Sequence, residues 1–313
     1  MDNPIDTEVA KSYEYKLNDG YLTKIYKKDF ITIYHNDLKY KKFNNIDLKR
    51  VQELDKNHKD IDTLDYRFHE CINSNYETLD LSHMNLKEMP VIPSNIYQKL
   101  KYLFIAENDI TQIDDLSFLT KLKVLDLCNN KLTQLPKLPE ELIELMVRHN
   151  NLTDIDNLRD CYCLKRLDCS ENRIKKIHEI DSLKILVCDK NEIENIPQLK
   201  KVIKLSCSDN RIKTIHDLPN VEILECDNNQ LEKIQDLKTL KELYCSKNKI
   251  HTISNLYNLE VLHCYKTKIT TIEYFSNLKE LLCEYSNNVV LSTLYKINES
   301  DIYKNNLILL RFQ

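Results

Sequence analysis

Between Leu79 and Asn288 the sequence repeats itself, and this periodicity restricts the chain to a stacked architecture more tightly than any other feature does. From Leu100 the pattern is L-x-x-L-x-[L/I/V/C]-x-x-N-x-[I/L]-x-x-[I/L]. It is seen in LKYLFIAENDITQI from Leu100, LKVLDLCNNKLTQL from Leu122, LIELMVRHNNLTDI from Leu142 and LKRLDCSENRIKKI from Leu164. Further copies begin at Leu183, Val202, Val221, Leu240 and Leu259. LKELLCEYSNN from Leu278 is a degenerate last unit, and LDLSHMNLKEM from Leu79 is a divergent first one. Early starts lie 20 to 22 residues apart; from Leu164 to Leu278 every start follows the previous one by 19.

In L-x-x-L-x-L the last two apolar positions are two apart, so both point to one face of a short strand. Stacked copies place these strands parallel at ~4.8 Å, and stacking buries an apolar edge that one unit alone cannot bury. An Asn recurs at a fixed place: Asn108, Asn130, Asn150, Asn172, Asn191, Asn210, Asn229 and Asn248. Its amide has donors and an acceptor, so a column of them is expected to bond backbone groups of neighbouring turns. Asn also tolerates left-handed backbone, which is expected to help a chain with one glycine, Gly20, to bend. Met84, Thr267 and Ser286 interrupt the ladder at its ends, where capping units are expected to be atypical.

On these motifs the chain resembles the leucine-rich-repeat family over about two thirds of its length. The resemblance implies an α/β-type repeat solenoid, a horseshoe with a parallel concave β-sheet. Nineteen residues fall just below the family's usual range of roughly 20 to 29, so the convex segments are expected to be extended or single-turn. LPKLPEELIELMV is similar to the compact repeats of secreted bacterial effectors, and LKYLFIAENDITQIDDLSFLTKL to a 22-residue subtype of eukaryotic phosphatase regulators. The short Asn-, Lys- and Ile-rich units resemble leucine-rich-repeat proteins of giant amoeba-infecting DNA viruses.

Outside the repeats, residues 1–75 are expected to form a capping segment. Strands are expected at Tyr21–Tyr26 and Phe30–Tyr34, a turn at His35–Asp37 before Leu38–Phe43, and a short helix at Asp47–Leu54. Residues 76–288 form the solenoid, and 289–313, ending in NLILLRF, should pack over its last coil. A net charge of −4 implies no polyanionic or polycationic partner overall. No run approaches 18 apolar residues, and the start MDNPIDTEVAKSYEYK lacks the pattern of a signal peptide, so a cytoplasmic protein is expected.

Seven cysteines, Cys169, Cys188, Cys207, Cys226, Cys245, Cys264 and Cys283, recur every 19 residues at the third apolar position. A linear file does not converge on a metal, so they read as small buried hydrophobes, and no metal or other cofactor is expected. Cys161 and Cys163 form one C-x-C pair without a second, a weak metal signal. Cys128 follows an inward Leu and is expected to be the most exposed thiol.

The outward strand positions make two patches on the concave face. Asp126, Asp168, Asp189, Glu225 and Asp227 make its middle acidic; Tyr244, His263, Tyr265, Leu282 and Tyr285 make its C-terminal third aromatic. Exposed aromatic residues anchor interfaces, and acidic ones steer basic partners. The expectation is therefore a non-catalytic module that binds a protein on the concave face. Two alternatives are an adaptor whose residues 1–75 recruit a second machine such as a ubiquitin ligase, and weak nucleic-acid binding through residues 21–50. That segment holds eight Lys or Arg among aromatic residues but no nucleic-acid-binding signature. One glycine excludes glycine-rich phosphate loops and the G-x-S-x-G elbow, so no enzyme is expected.

Overall fold

The computed structural model describes residues 13–18, 21–26, 32–34, 64–215, 218–272, 275–284, 290–291, 302–303 and 307–311. The chain divides into two compact units, Met1–Asp80 and Leu81–Gln313. In the first, strands β1 (Tyr13–Asn18), β2 (Tyr21–Tyr26) and β3 (Thr32–Tyr34) form an antiparallel sheet in that order. A helix, Leu64–Asn73, and a short strand, β4 (Thr78–Asp80), follow. The helix has no Gly or Pro, carries an i,i+4 bond from Tyr66 to Glu70, and ends where Asn75 and Tyr76 turn left-handed. Arg67 reaches Asp80 at 3.6 Å. The sequence reading missed β1 and this helix, neither of which shows a long periodic pattern. Its segments His35–Asp37, Leu38–Phe43 and Asp47–Leu54 lie outside the described residues.

The second unit is a solenoid with a parallel sheet. Its strands are β5 (Tyr102–Phe104), β6 (Val124–Asp126), β7 (Glu144–Met146), β8 (Arg166–Asp168), β9 (Ile185–Val187) and β10 (Lys204–Ser206). They continue with β11 (Ile223–Glu225), β13 (Glu242–Tyr244), β15 (Val261–His263) and β17 (Glu280–Glu284). Each pairs in register with the next, so Leu186, Leu205, Leu224 and Leu243 form one row. At the far end β20 (Leu307–Arg311) pairs antiparallel with β17, and Ile302–Tyr303 pairs with β20. Leu307–Arg311 of the NLILLRF stretch thus adds a strand to the sheet.

The return path is nearly devoid of helix. Among the described residues it contains a four-residue helix at Ser94–Tyr97, a 3-10 turn at Asp156–Asp160, and two parallel strand pairs, β12 (Lys233–Gln235) with β14 (Thr252–Ser254) and β16 (Thr271–Ile272) with β18 (Val290–Leu291). A 19-residue coil has too little chain for more.

Each short coil sends six side chains inward; in one they are Val202, Leu205, Cys207, Ile212, Ile215 and Leu218, all buried. The third place of the set is Ile105, Leu127 and Val147 in the longer coils, and cysteine in every 19-residue coil. A smaller side chain fits the shorter circuit, because interiors are packed to a fixed density. All seven column cysteines are free and buried, and burial pushes their thiols far above the ordinary range.

The ladder amides join coil to coil. Asn172 accepts the Leu152 N–H at 2.9 Å and donates to the Val147 carbonyl at 2.9 Å, both in the preceding coil, while also donating to Cys169 in its own. Asn191, Asn210, Asn229 and Asn248 repeat this pattern, with N–H to Oδ1 distances of 2.9 to 3.0 Å. At Thr267 the hydroxyl bonds the carbonyl of Cys264 in its own coil instead. Ser286 is outside the described residues.

The ladder Asn is not the left-handed residue, contrary to the sequence reading. That conformation falls one place earlier, on Glu107, Asn129, His149, Glu171, Lys190, Asp209, Asn228, Lys247 and Lys266, with φ of 52–57°. The N–H of each of the first eight donates to a carbonyl of the next coil, as Lys190 does to Ser208 at 2.8 Å. Inter-coil bonding thus holds non-glycine residues in a costly region.

Asn210→Ala strands the buried Ile193 N–H and should lower unfolding free energy by about 2–3 kcal/mol in urea titrations. Asn210→Asp should be no milder, since it turns an acceptor toward the carbonyls of Cys188, Cys207 and Ser208. A disulfide-exchange thiol reagent should label Cys163 rapidly in the native protein, and all eleven cysteines only in concentrated guanidinium.

Candidate functional site

Alternation along each strand turns the residues on either side of the inward leucine to the outer face of the sheet. One row there runs Phe104, Asp126, Met146, Asp168, Val187, Ser206, Glu225, Tyr244, His263 and Leu282, joined by strand pairing. The row is not uniformly open. Phe104, Asp126, Met146 and Ser206 are buried, whereas the others are partly exposed.

Asp126 corrects the sequence reading. It is 3% exposed, lies between Phe104 and Met146 in register, and accepts the Cys128 N–H at 2.9 Å. Large neighbours on a flat sheet cover a short side chain even on its outer face, so Asp126 braces the strand end. Asp168 acts similarly, accepting the backbone N–H of Ser170 at 3.1 Å and its hydroxyl at 2.5 Å.

Glu144, which the sequence reading passed over, lies one row across on β7. It is buried and pairs with Arg166 Nε at 2.9 Å. Burial raises its carboxyl; Arg166 pulls it down, but Asp126 and Asp168 push it up again, and it settles at about 7. Its signal in the sequence was an acid preceding the strand leucine, a position that other coils fill with Tyr102, Val124, Arg166, Ile185 or Lys204 and that therefore shows no pattern.

The middle of the face is a linked polar chain. Ser206 Oγ lies 2.8 Å from Asp189 and 2.9 Å from Glu225, Ser208 N–H donates to Asp189 at 2.6 Å, and Lys204 pairs with Glu225 at 2.6 Å. Asp227 accepts the Ser246 N–H at 2.5 Å. Burial raises the carboxyls of Asp189 and Asp227. The acidic strip is therefore largely engaged in holding its own strands.

The C-terminal third differs. The Tyr244 and His263 rings meet edge to face, with centroids 4.8 Å apart and planes at 80°. Tyr244 Oη donates to Glu242 at 3.1 Å, and His263 Nε2 lies 2.9 Å from Glu280 Oε1. Burial and then the bond to Glu242 push the Tyr244 hydroxyl up to about 12. Tyr265 and Leu282 are half-buried beside them, and Tyr285 lies outside the described residues.

The turn edge bears a polar groove of about 820 Å³ lined by residues including Glu107, Lys131, His149, Glu171 and Arg173. Desolvation pushes the Glu171 carboxyl up, but hydrogen bonds from Arg148, His149 and Lys190 outweigh it and hold it at about 2.

The thiols correct a second expectation. Cys128 is half-buried, with its thiol pushed up by burial and by the nearby Asp126 and Asp168; the exposed thiol is Cys163. Cys161 is buried, with its thiol raised to about 11, so the C-x-C pair occupies two environments. Among the described residues no group of three or more His, Cys, Asp or Glu could hold a metal ion, and no helix is long and apolar enough to cross a membrane. The basic, aromatic stretch 21–50 lies mostly outside the described residues.

A leucine-rich-repeat family model, "Leucine Rich repeats (2 copies)", matches residues 98–140 and again 140–182. No curated protein matches the chain. Among solved structures the chain is similar to YopM from Yersinia enterocolitica WA-314, at 21% identity and a TM-score of 0.57, over 78% of this chain and 61% of that one. It is also similar to a chain of the LRIM1/APL1C complex, at 19% identity and a TM-score of 0.51, over 64% of this chain and 46% of the other. A third likeness is to a chain of an octameric complex of latrophilin 3, Unc5D and the leucine-rich-repeat part of FLRT2. There identity is 23%, the TM-score 0.50, and coverage 66% and 80%. The chain thus spans about three fifths of YopM and under half of the LRIM1/APL1C chain. These likenesses establish a shared fold.

Glu144 gives this face a pH response. Its folded value of about 7 exceeds the ordinary 4.5, so its contribution favours folding below about pH 4.5 and is lost as pH rises through about 7. The full span is worth up to about 3 kcal/mol. Glu144→Gln should therefore gain stability relative to the native protein between about pH 4 and about pH 8 in urea titrations; an unchanged difference would mean that Glu144 titrates alike in the folded and unfolded chain.

Proposed function

We propose that this leucine-rich-repeat solenoid is a non-catalytic interaction module that holds a protein partner against its sheet face, with Tyr244, His263, Tyr265 and Leu282 as the principal contact. The observation that carries this reading is the contrast within one row. The middle carboxylates are tied into the sheet by serines, backbone N–H groups and Lys204, whereas three adjacent coils at the C-terminal end offer partly exposed aromatic and aliphatic side chains. Aromatic groups of this kind supply large contact area at low entropic cost and dominate interface energies. Asp168, Asp189, Glu225 and Asp227 then act as a flanking field that favours a basic partner; Asp126 is too deeply buried to touch one. The chains in the two complexes with the same fold are parts of protein assemblies, which fits this use of the architecture.

The division after Asp80 into two compact units favours a second reading, an adaptor in which residues 1–75 recruit another machine while the repeats select a target. Eleven free cysteines fit a reducing compartment such as the cytosol, and the giant-virus resemblance of the short units makes a host cytoplasm the proposed setting.

The decisive comparison is co-purification with the full chain and with a Tyr244→Ala/Tyr265→Ala variant whose circular dichroism is unchanged. A partner held by the native chain and lost by the variant is expected. A partner retained by the variant would remove these residues from the contact, and one retained by residues 1–75 alone would move the weight to the adaptor reading.

A further inference from the structure

Resting on that reading, we propose that the partner is anchored by an arginine or lysine side chain seated in the corner between Tyr244 and His263. The Tyr244 ring stands nearly perpendicular to His263 at 4.8 Å and presents π surface, whose negative face attracts cations, while His263 walls the other side of the corner. Glu242 stands at the rim, held by the Tyr244 hydroxyl at 3.1 Å. The remaining charge separates this corner from the rest of the face. Glu144 has Arg166 beside it and Glu225 has Lys204, whereas Glu242 is flanked in register by Ile223 and Val261 and makes no ion pair with Lys or Arg among the described residues. Carboxylate and ring quadrupole act in the same sense, so a guanidinium or ammonium gains from both, while an acidic side chain is repelled by both. In register with His263, Leu282 extends the corner as an apolar shelf. The occupant is thus a protein segment with a basic residue next to an apolar one, a pairing that satisfies corner and shelf together.

The test is to pan the full chain against a displayed library of random peptides and measure the recovered peptides on four proteins. These are the native chain, Tyr244→Leu, Glu242→Gln, and a Glu194→Gln/Glu232→Gln control that removes two exposed carboxylates from the return side, each checked by circular dichroism. Recovered peptides should carry Arg or Lys and lose about tenfold in affinity on Tyr244→Leu and again on Glu242→Gln. They should be unaffected by the control and stop binding when their basic residue becomes norleucine. Peptides that need Tyr244 but tolerate norleucine would overturn the cationic anchor and leave sheet-face recognition standing. Peptides indifferent to Tyr244, equal losses on the control, or no recovered peptides would overturn the anchor, and indifference to Tyr244 or an empty selection would count against the contact surface as well.

Discussion

The solenoid depends on an asparagine amide that is buried and fully used. Backbone pairing links only the three or so residues of each strand, and the inward leucines attract without direction. The amide supplies direction. It accepts an N–H from the preceding coil, donates to a carbonyl of that coil, and donates to carbonyls of its own. One short amide side chain does the work that a glycine-rich turn or a convex helix does elsewhere, and this is how 19 residues suffice for one circuit. The left-handed residue just before it is part of the same device, since its N–H reaches the following coil.

Most of the solenoid was legible because its inward positions repeat at fixed spacing, and a column of identical residues admits one geometry. The leucine rows, the cysteine file and the ladder amides could be placed by counting. The left-handed position could not, because its occupants are Glu, Asn, His, Lys and Asp, with no shared chemistry to mark it. Face assignment was legible, but exposure was not. Asp126 and Asp168 occupy equivalent places, yet Asp126 is covered by Phe104 and Met146, and this depends on neighbours about twenty residues away in each direction. Cys128, expected to be the most exposed thiol, is half-buried, and Cys163 is the exposed one. The first unit carries no repeat, so counting had nothing to work with there.

A row of carboxylates on a sheet thus has several jobs. Asp168 holds Ser170 in its own coil, Asp189 reaches Ser206 and Ser208 in the next, Glu144 balances Arg166 at the cost of a raised carboxyl, and Glu225 takes Lys204. Formal charge read along the strip would make it one acidic surface. Hydrogen bonding divides it into a self-satisfied middle and a C-terminal corner where aromatic rings and Glu242 are left facing outward. For a protein whose net charge is only −4, that local arrangement carries more information about a partner than the total does.

The ladder amide points backward along the chain. Asn191 completes the backbone of the coil that contains Ile174, Asn210 that of the coil with Ile193, and Asn248 that of the coil with Leu231. A coil is therefore finished by the one after it. An N–H buried in one coil thus has its acceptor in the next, so removing a coil from the C-terminal side leaves the coil before it with an unmet donor. The bonding is directional, like courses of brick in which every course is mortared by the next. The amide mortar ends at Asn248, after which Thr267 bonds its own coil and the chain turns back on itself as an antiparallel strand.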